Sequence, residues 1–362
     1  MSAQPRSKHL LAFIGRLGVP ALLFIASLPA CAALGGEDGG ADNLPDRGLS
    51  GWLPTATATA PYTLGTVDGP ALGGPSALVD PTTSRLVLWF HQRDTDGTFS
   101  IYRTSAPQVP APLPPAPTSP DAEPAPPATF TFDAPTLVLD DARDPSVVRL
   151  ADGRYLMAYL DASSLVRLAT SADGLTFTDQ PATGLPTDAR ASPSLVLSAP
   201  TSQTPSPTTS PVSLYAVAAA TNALVRQTAD LDFAFSSELT VLAPGVDCLD
   251  LEGEPEPCWD EAAITDAEVR LATSPTGRPL LRVFYAGRTS STTSLGFAAS
   301  HDGVTFSRYP FNPVVDATIS ATAPTTVRID DAYHLFYAEA RNAASGGIVH
   351  LVSYPPAAAD NF

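Results

Sequence analysis

Basic residues are scarce: 20 Lys plus Arg stand against 37 Asp plus Glu, a formal net charge of −17 over 362 residues. A surface this acidic repels phosphate, so nucleic acid is not an expected partner. Charged residues make up only 16% of the chain and apolar ones 44%. That balance excludes a disordered polyampholyte and leaves enough apolar length for a core without metal or disulfide staples. The apolar run over residues 17–30 is too short to span a bilayer core of about 30 Å. No stretch shows convincing helical periodicity, which disfavours folds built on many crossover helices. Also absent are a complete glycine-rich phosphate loop, paired metalloprotease histidines and a serine elbow with an identifiable triad. The acids of DTDG at 94–97 lack the twelve-residue ligand pattern of an EF-hand. No cofactor and no metal site is assigned; structural calcium fits an acidic exported chain but has no ligand set here.

The chain begins with a basic, acid-free stretch followed by that apolar run, the form of an export signal. Leu28, Pro29, Ala30 and Cys31 resemble the lipobox of bacterial lipoproteins, in which the cysteine becomes an acylated first residue. The resemblance implies lipid attachment at Cys31, and Ala32 after it implies the outer membrane. The alternative is an ordinary cleaved leader and a secreted protein. Processing removes three basic residues and no acid, so acyl chains rather than charge would hold the chain at the membrane. Cys248 and Cys258 close a short acidic loop without a nearby histidine, and export makes a disulfide between them the expected state.

Residues 1–31 thus read as the signal and 32–60, rich in Gly, Ala, Asp and Thr, as a flexible tether. Residues 61–354 read as the folded part and 355–362 as a short tail. Ten prolines at 107–127 remove the amide donors a sheet interior needs, and residues 199–211 have similar chemistry. Both are expected as exposed inserts.

Between these interruptions the chain repeats. PSALV, PSVVRL, PSLVL and PTTVRI begin at Pro75, Pro145, Pro193 and Pro324, and DAEVRL supplies a fourth-position copy with Asp266 at the proline slot. Each is followed by a short apolar strand (LVLWF, YLMAY, SLYAV, LRVFY, YHLFY) and then by a third strand such as FSIYRTS or LVRLATS. Aromatic and β-branched side chains in runs this short favour strands. Five copies of one three-strand order predict an all-β fold, a five-bladed β-propeller. SADGLTF at 171–177 and SHDGVTF at 300–306 place Asp-Gly turns after third strands. They resemble the sialidase Asp box with one residue fewer, and are taken as structural turns. After Ser353 no strand remains for the last blade, so an N-terminal strand is expected to close it, with PYTLG at 61–65 as the donor.

DPSVVRLADGRYLMAYLD, LATSADGLTF, VFYAG and FAASHDGVTF resemble the five-bladed propellers of glycoside hydrolase families 43 and 32. The resemblance covers about residues 61–354 and implies acids from successive blades around one end of the central channel, one acid assisting the leaving oxygen and another attacking or activating water. Arg143, Asp144 and Pro145 match the Arg-Asp-Pro motif of family 32, which makes Asp144 a candidate catalytic residue and Arg143 a candidate ligand contact. Two other acid positions are altered: Gly74 stands in the first-blade phrase and Ala191 in the third, and neither can move a proton. Glu261 is the candidate replacement acid, and Trp259 a candidate face for a sugar ring, unless it packs beside the proposed disulfide. His91, Asp161, Arg288 and Glu339 follow comparable second strands and are candidate funnel contacts.

These observations lead to a carbohydrate-interacting surface lipoprotein with an oligo- or polysaccharide partner. Whether it is a glycoside hydrolase or a catalytically inactive glycan-binding propeller stays open, and an envelope scaffold or protein-interaction module is the reading from another class.

Overall fold

The structure is a computed structural model. It describes residues 53–54 and 72–353, apart from 95, 108–129, 199–210, 231, 246–247, 250–254, 257, 274–278, 310–311, 316–319, 330–331 and 343–344. The expected signal and lipobox, most of the tether, the 61–65 strand, nearly all of both proline-rich inserts and the tail lie outside the described residues.

Five four-stranded antiparallel sheets follow one another along the chain. Blade I is Leu72–Asp80, Arg85–Arg93, Phe99–Pro107 and Thr136–Leu139. Blade II is Ala142–Arg149, Tyr155–Asp161, Val166–Ser171 and Thr178–Asp179. Blade III is Arg190–Leu197, Val212–Ala218, Ala223–Ala229 and Leu239–Leu242. Blade IV is Ala263–Thr273, Pro279–Arg288, Thr293–Ser300 and Ser307–Arg308. Blade V takes Ser320–Ile329, Ala332–Asn342 and Ser345–Ser353 from the end of the chain and Leu53–Pro54 from its beginning. A small hairpin, Cys248–Leu249 with Pro255–Glu256, lies between blades III and IV.

The first strand of each blade touches the first strands of both neighbours, and blade V meets blade I, so the five sheets close around one axis. This is the five-bladed propeller expected from the repeats. Its core is the set of apolar layers between blades, for example Trp89, Val147 and Met157 between I and II, and Tyr215, Val269 and Val283 between III and IV. The last blade is closed by an N-terminal strand, as expected, but by Leu53 and Pro54 against Val352 and Leu351. Those residues fall inside the segment expected to be tether.

The inner strands share one irregularity. Each carries a β-bulge near its start, at Gly73/Ser76, Arg143/Ser146, Ala191/Ser194, Ile264/Asp266 and Thr322/Thr325. In four blades the residue before the proline has a left-handed backbone: Gly74 (φ 53), Asp144 (φ 51), Ser192 (φ 42) and Ala323 (φ 47). Two residues on, a side-chain oxygen accepts the amide of the next blade. Ser76 Oγ accepts from Val147 N–H at 3.0 Å, Ser146 Oγ from Leu195 N–H at 2.9 Å and Ser194 Oγ from Val269 N–H at 2.9 Å. Glu268 Oε2 then accepts from Thr326 N–H at 2.7 Å, and Thr325 Oγ1 from Ala77 N–H at 3.2 Å. The relay runs through all five blades and returns to its start, satisfying amides on the inner edge of each sheet, where the first strand has no further strand to pair with.

The relay corrects the alignment of the fourth repeat. Glu268 occupies the serine position, so Ala267 stands at the proline slot and Asp266 at the position of Asp144.

Inner strands start, and second strands end, on one face, which carries the bulges. The opposite face carries the Asp-Gly turns. In each, the Ser171 or Ser300 hydroxyl donates to Asp173 or Asp302, whose carboxylate takes two following amides. Trp89 Nε1–H of blade I donates to Gly174 O at 3.0 Å, and Tyr215 O–H of blade III to Gly303 O at 3.3 Å. The turns therefore clip each blade to the one before it. The same face receives Pro107, Ser198 and the chain entering Leu53.

The disulfide expectation needs correction. Cys258 is buried and in the disulfide-bonded state, but the Cys248 side chain lies outside the described ones. No Cys248–Cys258 bridge stands between two described side chains.

Candidate functional site

At the start of the inner strands the five bends surround an axial cavity of about 20 Å³, lined by the X–Pro pairs of blades I, II, III and V and by Ala267 and Glu268 of blade IV. Space of this size holds a water molecule and not a sugar ring. The left-handed turns aim residues such as Asp144 inward. A non-glycine residue in that region costs about 1–3 kcal/mol, which the closed ring must offset.

Asp144 is buried, with its Oδ1 3.1 Å from His91 Nδ1 and its Oδ2 3.8 Å from Arg143 Nη1. Burial alone would raise its pKa, but His91 and then Arg143 outweigh burial and hold the carboxyl below its ordinary value. Asp266 shows the opposite balance. Burial pushes its pKa up, the charge of Asp144 pushes it further, and hydrogen bonds from Ser192, Thr265 and the Ala323 amide only partly compensate. The Ser192 hydroxyl donates to Asp266 Oδ1 at 2.7 Å. Blades II and IV thus bring two interacting carboxyls to one end of the inner strands, one with its pKa held down and the other with its pKa pushed up.

Below them lies a third acid. Glu268 is buried and accepts from Thr325 Oγ1, from the Thr326 amide and from Arg270 Nη2 at 2.5 Å. Arg270 also donates to Ala77 O at 2.8 Å, tying blade IV to blade I. Burial raises the Glu268 pKa despite Arg270. Its oxygens are occupied by the relay, so Glu268 serves as the floor of the cavity.

The sequence candidates divide sharply. Asp144, Arg143 and His91 come together. Arg143 also donates to Ser164 Oγ at 2.8 Å and lies over the Phe99 ring. Asp161 reaches the same face, yet its carboxylate takes the Ser163 and Leu165 amides and pairs with Arg167 at 2.8 Å, so it builds a hairpin turn. Glu339, buried, sits in register with Ala321, and Arg288, exposed, with Ala263; neither lines the cavity. Glu261 is exposed in the turn after Cys258 and does not line it either. Trp259 packs 5.2 Å from Tyr285 and against Gly287 and Gly296, where a Cβ would lie within 2.3 Å of its ring. It is a packing residue of blade IV. Its neighbour Asp260 is fully buried and holds Tyr285 and Arg308.

Asp266 and Ser192 are the residues that sequence reasoning did not assign. The signal was present: Val269 follows Asp266 at the spacing by which Val147 follows Asp144. Ala191, where an acid was sought, packs against the III–IV core.

No protein-family model matches the chain, and no curated protein matches it. Solved structures do. A provisionally assigned glycosidase from Bacteroides thetaiotaomicron VPI-5482 is 14% identical, with a TM-score of 0.57, covering 87% of this chain and 99% of that one. A structure from the family of mannoside phosphorylases that contains glycoside hydrolases targeting β-1,2 mannosidic linkages in Candida mannan is 15% identical, with a TM-score of 0.53, covering 86% and 96%. The α-L-arabinofuranosidase PaAbf62A from Podospora anserina, in complex with cellotriose, is 11% identical, with a TM-score of 0.52, covering 83% and 96%. At these identities the likeness is one of fold.

Proposed function

We propose that the chain is a carbohydrate-interacting propeller whose axial mouth contacts sugar hydroxyls through Asp144 and Asp266. The observation that carries this reading is that Asp144, which lines the cavity, and Asp266, bound to the cavity-lining Ser192, come close enough at the start of the inner strands for the charge of one to raise the pKa of the other. Carboxylates and a serine hydroxyl are suited to hydroxyl groups, and relatives in fold include proteins described as acting on arabinosides and mannosides. The cavity is too small for a ring, so the sugar rests over the mouth with its hydroxyls directed in.

Hydrolysis is the second reading, and the opposed pKa shifts of the two acids favour it. Cleavage of a glycosidic bond needs a carboxylic acid to protonate the leaving oxygen and a carboxylate on the other side, here Asp266 and Asp144. The test is a panel of arabino-, xylo- and manno-oligosaccharides measured for binding and for released sugar, with the full chain and its Asp144→Asn and Asp266→Asn variants. Binding without product selects the first reading. Product that falls by about a hundredfold or more in both variants selects the second. Neither binding nor product rejects both.

The lipobox-like Cys31 supports attachment to the outer membrane. Labelled palmitate should enter the expressed protein and not a Cys31→Ser variant; no label in either leaves a secreted protein.

A further inference from the structure

The axial cavity has room for a water molecule, whereas a cleft of about 320 Å³ opens on the opposite face, beside the Asp-Gly turn of blade II. That volume lies at the lower end of the range for small-molecule sites and is enough for one sugar ring. Arg154, Thr170, Asp173, Thr176 and Thr178 are among the residues that line it. All are exposed except Thr170, which is half-buried. Thr170 and Thr178 are register partners on the third and fourth strands, so their side chains project from one side of the blade. Threonine is an ordinary residue of an outer strand, but the turn does not require this set. In blade IV the Ser300 hydroxyl and the Val304 and Thr305 amides donate to Asp302 just as the Ser171 hydroxyl and the Leu175 and Thr176 amides donate to Asp173. Yet blade IV has Ala299 in place of Thr170, Ser307 in place of Thr178 and the buried Leu280 in place of Arg154. The polar atoms of the blade II cleft are also unused. Among the described residues no hydrogen bond engages the hydroxyls of Thr170, Thr176 or Thr178, and the donors to Asp173 all go to Oδ1 and leave Oδ2 open. Arg154 holds Asp152 Oδ2 through Nε and Nη2, each at 2.8 Å, which leaves Nη1. The wall is rigid, because Trp89 Nε1–H donates to Gly174 O and a Cβ on Gly174 would lie 3.1 Å from Trp89 and 3.4 Å from the Tyr155 ring.

We infer that this cleft is a second sugar site, which takes one neutral ring of a glycan. Ring hydroxyls donate to Asp173 Oδ2, Arg154 Nη1 donates to a neighbouring ring oxygen, and the threonine hydroxyls serve as donors or acceptors to the rest. Asp152 matches the charge of Arg154, so Asp173 leaves the cleft with one net negative charge. The Thr176 and Leu175 amides and then the Ser171 hydroxyl hold the Asp173 carboxyl below its ordinary pKa and so keep that charge in place. Uronates, sulfated sugars and phosphates are therefore repelled, and a neutral ring is selected. The site shares with the proposed function its class of ligand and nothing else. It lies on the face away from the bulges, and blade I separates it from blade V, where Leu53–Pro54 enters.

The test is a proton–nitrogen correlation NMR spectrum of the full chain titrated with D-mannose, D-xylose, L-arabinose and D-galactose, with D-galacturonate and glycerol as contrasts. For a ligand of about a dozen non-hydrogen atoms a Kd of about 1–10 mM is expected. At least one neutral sugar should move the amides of Gly174, Leu175 and Thr176 and the Trp89 indole N–H to saturation, while D-galacturonate and glycerol leave them in place. A Thr170→Val/Thr178→Val variant, which nearly keeps the shape and drops both hydroxyls, should bind about tenfold more weakly with its urea midpoint nearly unchanged. Arg154→Leu, which installs the blade IV residue, should weaken binding as well. No movement of these signals by any neutral sugar up to about 100 mM overturns the proposal. Parental affinity in both variants, or glycerol acting like the sugars, overturns it too. Shifts confined to Asp144, Ser192 and Asp266 would sink this cleft and leave the axial reading standing, while shifts confined to the turn would support the cleft and count against the axial mouth.

Discussion

Gly73 shows how one side chain's absence sets another's position. Adding a methyl there drives it into His91, and the ring has Phe99 behind it, so it cannot retreat without repacking. Gly73→Ala should lower unfolding free energy by about 1–3 kcal/mol, measured by urea denaturation. His334 poses a different problem. Nearly sealed, with Phe130 edge-on at 5.2 Å, it has its pKa lowered by burial from the ordinary 6.5 to about 4. The unfolded chain takes up its proton first, so the stabilising contribution is complete above pH 6.5 and is lost as pH falls toward 4. The upper bound is about 3 kcal/mol. Urea titrations at about pH 7 and about pH 4 should show a smaller loss in His334→Leu than in the parent; equal losses would assign the acid sensitivity elsewhere.

At the level of strands, blade contacts depend on single hydroxyls. Ser146→Ala leaves the Leu195 amide without its acceptor inside the protein, and a loss of about 1–3 kcal/mol is expected. Trp89→Phe keeps most of the packing but removes the bond to Gly174 O, with a loss of about 1 kcal/mol expected, also from urea melts. These joints explain which elements could be read beforehand. The second strands are short apolar runs buried on both sides, and their composition is visible in one dimension. The bulges are not, because the left-handed turns at Asp144, Ser192 and Ala323 arise from closing the ring. Proline marked the bends in four blades, so its replacement by Ala267 shifted the reading of the fourth by one residue and hid the equivalence of Asp266 with Asp144. The closing strand was harder still. Leu53–Pro54 is too short for any alternation and contains a proline, whereas the Tyr, Thr and Leu of 61–65 have the composition of a strand.

For the molecule as a whole, closure joins the two ends of the chain. A chain beginning at residue 61 lacks Leu53–Pro54 and leaves the last blade with three strands and an unpaired edge. It should unfold at lower urea concentration than a chain beginning at 51, and oligomerise more readily in analytical ultracentrifugation; identical behaviour would show that the two-residue strand contributes nothing. The path of this strand has a further outcome. Because the strand Leu53–Pro54 enters the propeller on the side opposite the bulges, a protein immobilised through its amino end should turn the bulged face, proposed above to meet sugar, toward the medium. A long polymer could then approach without colliding with whatever support holds the protein, and a sensor chip coupled at the amino terminus should retain the full binding capacity of the free protein.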